Sequence, residues 1–289
     1  MSRRENNWYL LRAVGESFGN AARQGFRVKG GLLLGVILVV AAISQVLMAP
    51  SERLSAIASS MIPKIPMIFG GVLIALMVWR MLSLRAAYRK GLQHPGPSRL
   101  IEVVERMARQ GSAVPGIDVV RAQSNAIALS LYGDEEGAVA ALSEIDWSVQ
   151  APLMQAGGLV AEAFVEFLCR GDASRGLELS RRARELARVS PIVPGGRASA
   201  KVYDTLVEIG EVLAGEGSLE SLEKLDKGVA KITFPMQLLA RFALAVGFKR
   251  EGKTERAEQH RSFIIKAAPH CGPLLRPAGL SRRTGLRNG

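Results

Sequence analysis

Two cysteines and three histidines are the whole supply of thiol and imidazole groups in a chain of 289 residues. Two cysteines cannot build a disulfide framework, and Cys169, inside an apolar helical run, reads as a small core residue. His94, His260 and His270 lie far apart, and only "PHCGP" sets a histidine, His270, beside a cysteine, Cys271. Adjacent residues on an extended chain point apart, and no further ligand or base accompanies them, so neither a metal site nor an activated nucleophile follows. A phosphate loop, a dinucleotide fingerprint and a serine elbow are missing as well. Gly195 and Gly196 in "SPIVPGGRAS" follow no strand and read as a turn. The expectation is a protein without catalytic residues, metal or cofactor, and not an enzyme.

Aromatic residues make up only 6% of the chain, and no convincing alternation of apolar and polar residues marks a strand. Abundant Ala, Leu, Val and Arg favour helices instead. The net charge of +12 invites a nucleic-acid reading until it is located. Residues 1–91 hold 12 basic and 3 acidic side chains, residues 92–271 hold 22 and 23, and residues 272–289 hold 4 and none. The large central region is nearly neutral, whereas a nucleic-acid groove needs its excess on the folded domain. No specific nucleic-acid partner is expected.

What the chain does have is long uncharged runs. Residues 31–49, "GLLLGVILVVAAISQVLMA", number 19 and reach roughly 28 Å as a helix, one hydrocarbon thickness. Two readings stand: a retained first span, or an export signal cut after Ala49. The run follows a 30-residue lead and outlasts the usual apolar core of a signal, which favours a span. A second run, residues 65–84, ends at Trp79 and Arg80, an interfacial ring and a snorkelling guanidinium. Arg3, Arg4, Arg12, Arg23, Arg27 and Lys29 precede the first run, and Arg80, Arg85, Arg89 and Lys90 close the second. Only Arg53 and Lys64 lie between, so both termini are expected on the cytoplasmic side of a bacterial-type inner membrane, with the lipid bilayer as partner. Gly31 with Gly35, and Gly71 with Ala75, are small-xxx-small pairs that suit packing of the two spans on each other or self-association into a homo-oligomer. Ahead of them, residues 1–29 form a basic segment in which Trp8, Leu11, Val14, Phe18, Ala22 and Phe26 share one helical face. That face suits either the membrane interface or the rest of the protein.

"GLQHPGPS", residues 91–98, reads as a link into residues 92–271. There apolar residues recur at helical spacing, with helices expected near 98–111, 116–132, 135–146, 151–169, 173–189, 197–214, 218–231, 234–250 and 254–267. Four turns resemble one another: "YGDEEGA", "RGDASRG", "GEGSLESL" and "REGKTERA". They align on Gly133, Gly171, Gly217 and Gly252, and five places later stand Ala138, Gly176, Leu222 and Ala257. A glycine supports the turn between two helices, and a small residue one turn on lets the pair close up.

This pattern resembles the tetratricopeptide repeat, best in residues 238–269. There Ala245 matches the family's small first-helix residue, Phe248 its aromatic, Gly252 the turn glycine, Ala257 the second small residue and Pro269 the closing proline. The family's opening tryptophan is missing throughout. The resemblance implies an α-solenoid of antiparallel helix pairs with a groove for a protein or peptide partner; with the two apolar runs, the expected fold is all-α, a transmembrane helical hairpin followed by that solenoid. In the last unit the groove-lining positions correspond to Leu239, Phe242, Val246, Lys249 and Arg250. The function implied is a membrane-anchored adaptor. The alternative is a subunit or assembly factor whose spans make the key contacts. Elsewhere, "SRRARELARVS" places Glu178 four residues before Arg182 and Arg181 four before Glu185, the pattern of a solvated, pair-laced helix face. The tail, residues 272–289, is basic and expected to be disordered.

Overall fold

Glycine and aspartate at consecutive positions stop one helix and start the next. Gly133 (φ +82°) ends helix α2 (Ile117–Tyr132) in the left-handed conformation, its N–H bonded to the Leu129 and Ser130 carbonyls. Asp134 then accepts from the Gly137 N–H at 2.9 Å and opens α3 (Glu135–Ser143). Gly171 (φ +73°) and Asp172 do the same between α4 (Pro152–Val165, widening into a π turn, Glu166–Arg170) and α5 (Ala173–Arg188). Between α6 (Gly196–Ala214) and α7 (Leu219–Gly228) the left-handed residue is Gly215, not the expected Gly217. Ser218 caps α7 by accepting from the Ser221 N–H, so this turn is two residues longer while the helix register agrees with the alignment. Gly252 (φ +71°) separates α8 (Met236–Arg250) from α9 (Thr254–Ala267). Pro269 follows α9, half-buried, and a last turn, α10 (Gly272–Leu275), ends the described chain.

The structure is a computed structural model that describes residues 83–84, 86–110, 116–189 and 196–276. The first expected span (31–49), residues 65–82 of the second (65–84), Gly31, Gly35, Gly71 and Ala75, the expected amphipathic segment and the tail beyond Arg276 lie outside the described residues. Among the described residues the fold is all-helical, without a strand, and begins with a short helix at 86–92 and α1 (Ser98–Gln110). Pro152–Arg170 is long and apolar enough to cross a membrane, with 67% of its apolar window buried. Packing on α2, α3 and α5 accounts for that hydropathy.

Helices α2 with α3, α4 with α5, and α8 with α9 pack as hairpins, and α5 lies along α6. The four positions after the turns, Ala138, Gly176, Leu222 and Ala257, are all buried. Gly176 lies against the ring of Phe167, and where the bulky Leu222 replaces a small residue, Gly247 of α8 makes room, with a Cβ there only 2.5 Å from Leu222 Cδ1. Bulk has moved from one helix to its partner, which preserves the close approach.

Two features depart from the expected regular stack. First helices α2 and α4 pack along each other, as do α6 and α8, but α4 and α6 meet closely only at the π turn, where Phe167 lies against Gly210. The ends of the array also meet, because α10 packs on α2 and α8. The stretch 91–98 is likewise no free link. Gly91 and Leu92 are buried, and the Tyr132 hydroxyl donates to the Gly91 and His94 carbonyls at 3.1 and 3.0 Å.

Candidate binding cleft

The gap between α4 and α6 opens as a cleft of about 340 Å³. Gln123 and Ile127 of α2, Val160 and Phe164 of α4, and Val202 and Tyr203 of α6 line it. The segment Thr233–Met236, with a cis Phe234–Pro235 bond, closes it below α8. Each lining element is therefore the first helix of a hairpin or the chain leading into one. Phe164 is wholly buried at the floor, while Val202 is 45% exposed at the mouth. Among the described residues no charged side chain lines the cleft. Gln123, Thr233 and Tyr203 supply polar groups, and burial pushes the Tyr203 phenol above its ordinary range. Gly157 lets the Gln123 amide lie flat on α4, since a Cβ there would stand 2.8 Å from Oε1. At the rim the Arg89 guanidinium lies 5.4 Å from the centre of the Phe234 ring. Such a surface accepts apolar side chains and offers hydrogen bonds to a peptide backbone.

The positions proposed from the last repeat do not converge on this cleft. Leu239 and Val246 are core residues, 0% and 8% exposed, and Phe242 is half-buried against the core. Arg250 donates from Nη1 and Nη2 to the Val212 and Leu213 carbonyls at 2.8 and 2.9 Å, capping α6. Lys249 is exposed. The resemblance points to the last hairpin, whereas α2, α4, α6 and the chain entering α8 line the cleft. The signal that points to it is the equivalent first-helix face of the earlier units.

The arginine-rich helix α5 differs in its partners. Arg181 reaches Glu216 at 2.8 Å and Glu211 at 3.5 Å rather than Glu185, and Glu178 pairs with Arg175 rather than Arg182. The Arg181 pairs fasten α5 to the end of α6 and the turn after it. Both thiols are buried. Burial pushes Cys169 up to about 11 and Cys271 to about 12, well away from nucleophilic use at neutral pH. His270 is exposed while its neighbour Cys271 is buried. Among the described residues no three His, Cys, Asp or Glu side chains are grouped to hold a metal ion.

His260, a residue the sequence left without a role, is 5% exposed between charges. Its Nε2 faces Asp226 Oδ1 of α7 at 3.2 Å, and its Nδ1 meets Arg241 Nη1 of α8, also at 3.2 Å. Its ring stacks on Phe248. Because Arg241 can only donate, Nδ1 must accept, which requires the neutral, Nε2-protonated ring. Burial lowers its pKa first; Asp226 opposes that, and Arg241 and Arg256 add to it. A histidine whose folded-state pKa lies below its unfolded value stabilises the fold fully above the ordinary value of 6.5, and that stability is lost as pH falls through the folded pKa. The melting temperature should therefore be lower at pH 5.5 than at pH 7.5, and His260→Gln should flatten the difference. An equal pH response in both proteins would rule out His260 as its source.

No family model matches the chain, and neither a curated protein nor a solved structure matches it.

Proposed function

We propose that the protein is a membrane-anchored adaptor. Two spans near residues 31–49 and 65–84 hold it in a bacterial-type inner membrane with both termini cytoplasmic, and the helical unit binds an apolar peptide segment of a partner protein. One observation carries the binding half of this reading: an apolar cleft, without a charged side chain among the described residues, built from the leading helices of successive hairpins, the face on which stacked hairpins receive peptides. The anchoring half rests on the uncharged runs and their flanking lysines and arginines. Binding is the activity proposed, since the cleft offers shape and hydrogen bonds.

Val202→Arg tests it. This exposed position at the mouth admits a long cation without disturbing the core, and a charge there opposes entry of an apolar segment. In crosslinked, detergent-solubilised membranes, a partner recovered with the unmodified full-length chain should fall at least tenfold with Val202→Arg. It should persist with Val120→Arg, an exposed position on α2 outside the cleft. Equal recovery by both variants would place the partner elsewhere and count against the cleft.

A further inference from the structure

The Gln123 side chain, on the α2 wall of the cleft, has both halves of its amide to spare: among the described residues neither the oxygen nor the nitrogen is hydrogen-bonded. It rests on α4 where Gly157 leaves the space. A Cβ at Gly157 would stand 2.8 Å from Oε1, 3.2 Å from Cδ and 3.4 Å from Nε2, so the amide lies flat on the helix. A glycine inside a helix is destabilising relative to alanine, and this one forms the seat of that amide. The Tyr203 and Thr233 hydroxyls, on the α6 wall and the closing segment, are likewise unbonded among the described residues. Three polar side chains thus line one apolar cleft with their hydrogen bonds unmade. An occupant that displaced their water without replacing those bonds would bind poorly.

If the cleft receives a peptide, as proposed above, these groups select its conformation. A helix keeps its backbone N–H and C=O groups for itself and would leave the Gln123 amide unpaired. One helical turn, about 10–12 Å across and 5.4 Å long, also fills more than about 400 Å³, against the 340 Å³ of the cleft. In an extended chain the N–H and C=O of one residue point the same way and are free. An amide side chain matches that pair, Oε1 accepting from the N–H and Nε2 donating to the C=O. Ile127, Val160, Phe164 and Met236 are then placed to take an apolar side chain. With no charged side chain among the described lining residues, the complement is an uncharged segment.

We infer that the occupant of the cleft is a short, extended, uncharged segment of the partner protein with one large apolar side chain, and that Gln123 reads its backbone. Gln123 touches the partner, and Gly157 is a positioning residue that acts through it. Recognition of this kind admits many sequences around the apolar residue. It refuses proline at that residue, which has no N–H to offer.

The test uses the full-length chain in lipid nanodiscs and a soluble probe, the acetylated and amidated tripeptide seryl-(4-fluorophenylalanyl)-serine, followed by its fluorine NMR line. A second probe carries an ester oxygen in place of the fluorophenylalanine N–H. The unmodified chain should bind the peptide about threefold or more tightly than the ester, the effect of roughly one hydrogen bond. Gln123→Leu should make the two equal. Gly157→Ala displaces the amide without removing it and suits a helix, so it should narrow the preference at an unchanged melting temperature, which separates reading from folding. Val202→Arg should abolish binding of both probes. Peptide and ester bound equally by the unmodified chain, or a preference that neither the Gln123 nor the Gly157 variant reduces, would overturn the inference, while loss of binding on Val202→Arg would still uphold the cleft. Binding of neither probe, or binding indifferent to Val202→Arg, would overturn the cleft reading and this inference together.

Discussion

Replacing Asp226 by alanine should cost about 3 kcal/mol, in the range for removing one partner of a partly buried ion pair. Asp226 is 24% exposed and accepts from two residues of α9: His260 through Oδ1 at 3.2 Å and Arg256 through Oδ2 at 2.5 Å. Arg256 also lies over the Phe248 ring at 4.0 Å, and Arg241 over Phe263 at 3.8 Å. Without the carboxylate, two guanidinium groups and an imidazole face one another, with the Arg241 Nε already buried and unbonded. Helix α7 is short and buries only Leu222 and Leu225, so this ionic tie is a large share of what holds it. Chemical denaturation of the full-length protein in detergent should show the loss. Asp226→Asn, which keeps an acceptor, should lose less. A change below about 1 kcal/mol for the alanine variant would mean that the cluster is solvated and contributes little.

Gly176→Leu should be comparably damaging, for a steric reason. The Phe167 ring, 6% exposed, lies between two glycines. A Cβ on Gly176 would stand 2.8 Å from its Cζ with other ring atoms nearer still, and a Cβ on Gly210 would stand 3.2 Å from the same atom. Helices α4, α5 and α6 close over that one ring, so there is no void to absorb a side chain. Overpacking a filled core costs about 1–3 kcal/mol, and leucine here belongs at the upper end. Gly228→Ala is the matched control. Nothing lies within 4 Å of its Cβ position, so helix propensity should make it neutral or stabilising by up to about 1 kcal/mol. Phe167→Ala in the Gly176→Leu background should recover part of the loss, because the two changes are in contact and not additive. A Gly176→Leu protein as stable as Gly228→Ala would show that the three helices can spread apart.

The helices were legible because their punctuation is local. A glycine free to take positive φ and an aspartate that caps the next helix sit side by side at 133–134 and 171–172, and both acts concern backbone groups within a few residues. The third turn misled by two positions because Gly215 and Gly217 both satisfy the local pattern, and only the geometry of the turn chooses between them. Arg250 and Gly91 were misread for another reason. One appeared as a groove cation and the other as part of a link, yet each is fixed by a contact distant in sequence. For Arg250 it is the end of α6, and for Gly91 it is Tyr132, 41 residues on. The cleft is distant in the same sense. It exists because α4 and α6 meet at Phe167 and diverge beyond it, and no window of sequence encodes that divergence.

The closure by α10 also sets an order of events during synthesis. Arg276 meets Leu168 across 108 residues, and Pro273 seals the Gly133 turn only after nearly the whole helical unit has been made. A ribosome would long since have released the stretch around Tyr88 while its cover was still being translated. Until the last turn emerges, the entrance of the unit has an open seam beside Tyr132, and a chaperone or the partner itself would find its longest window for engagement there.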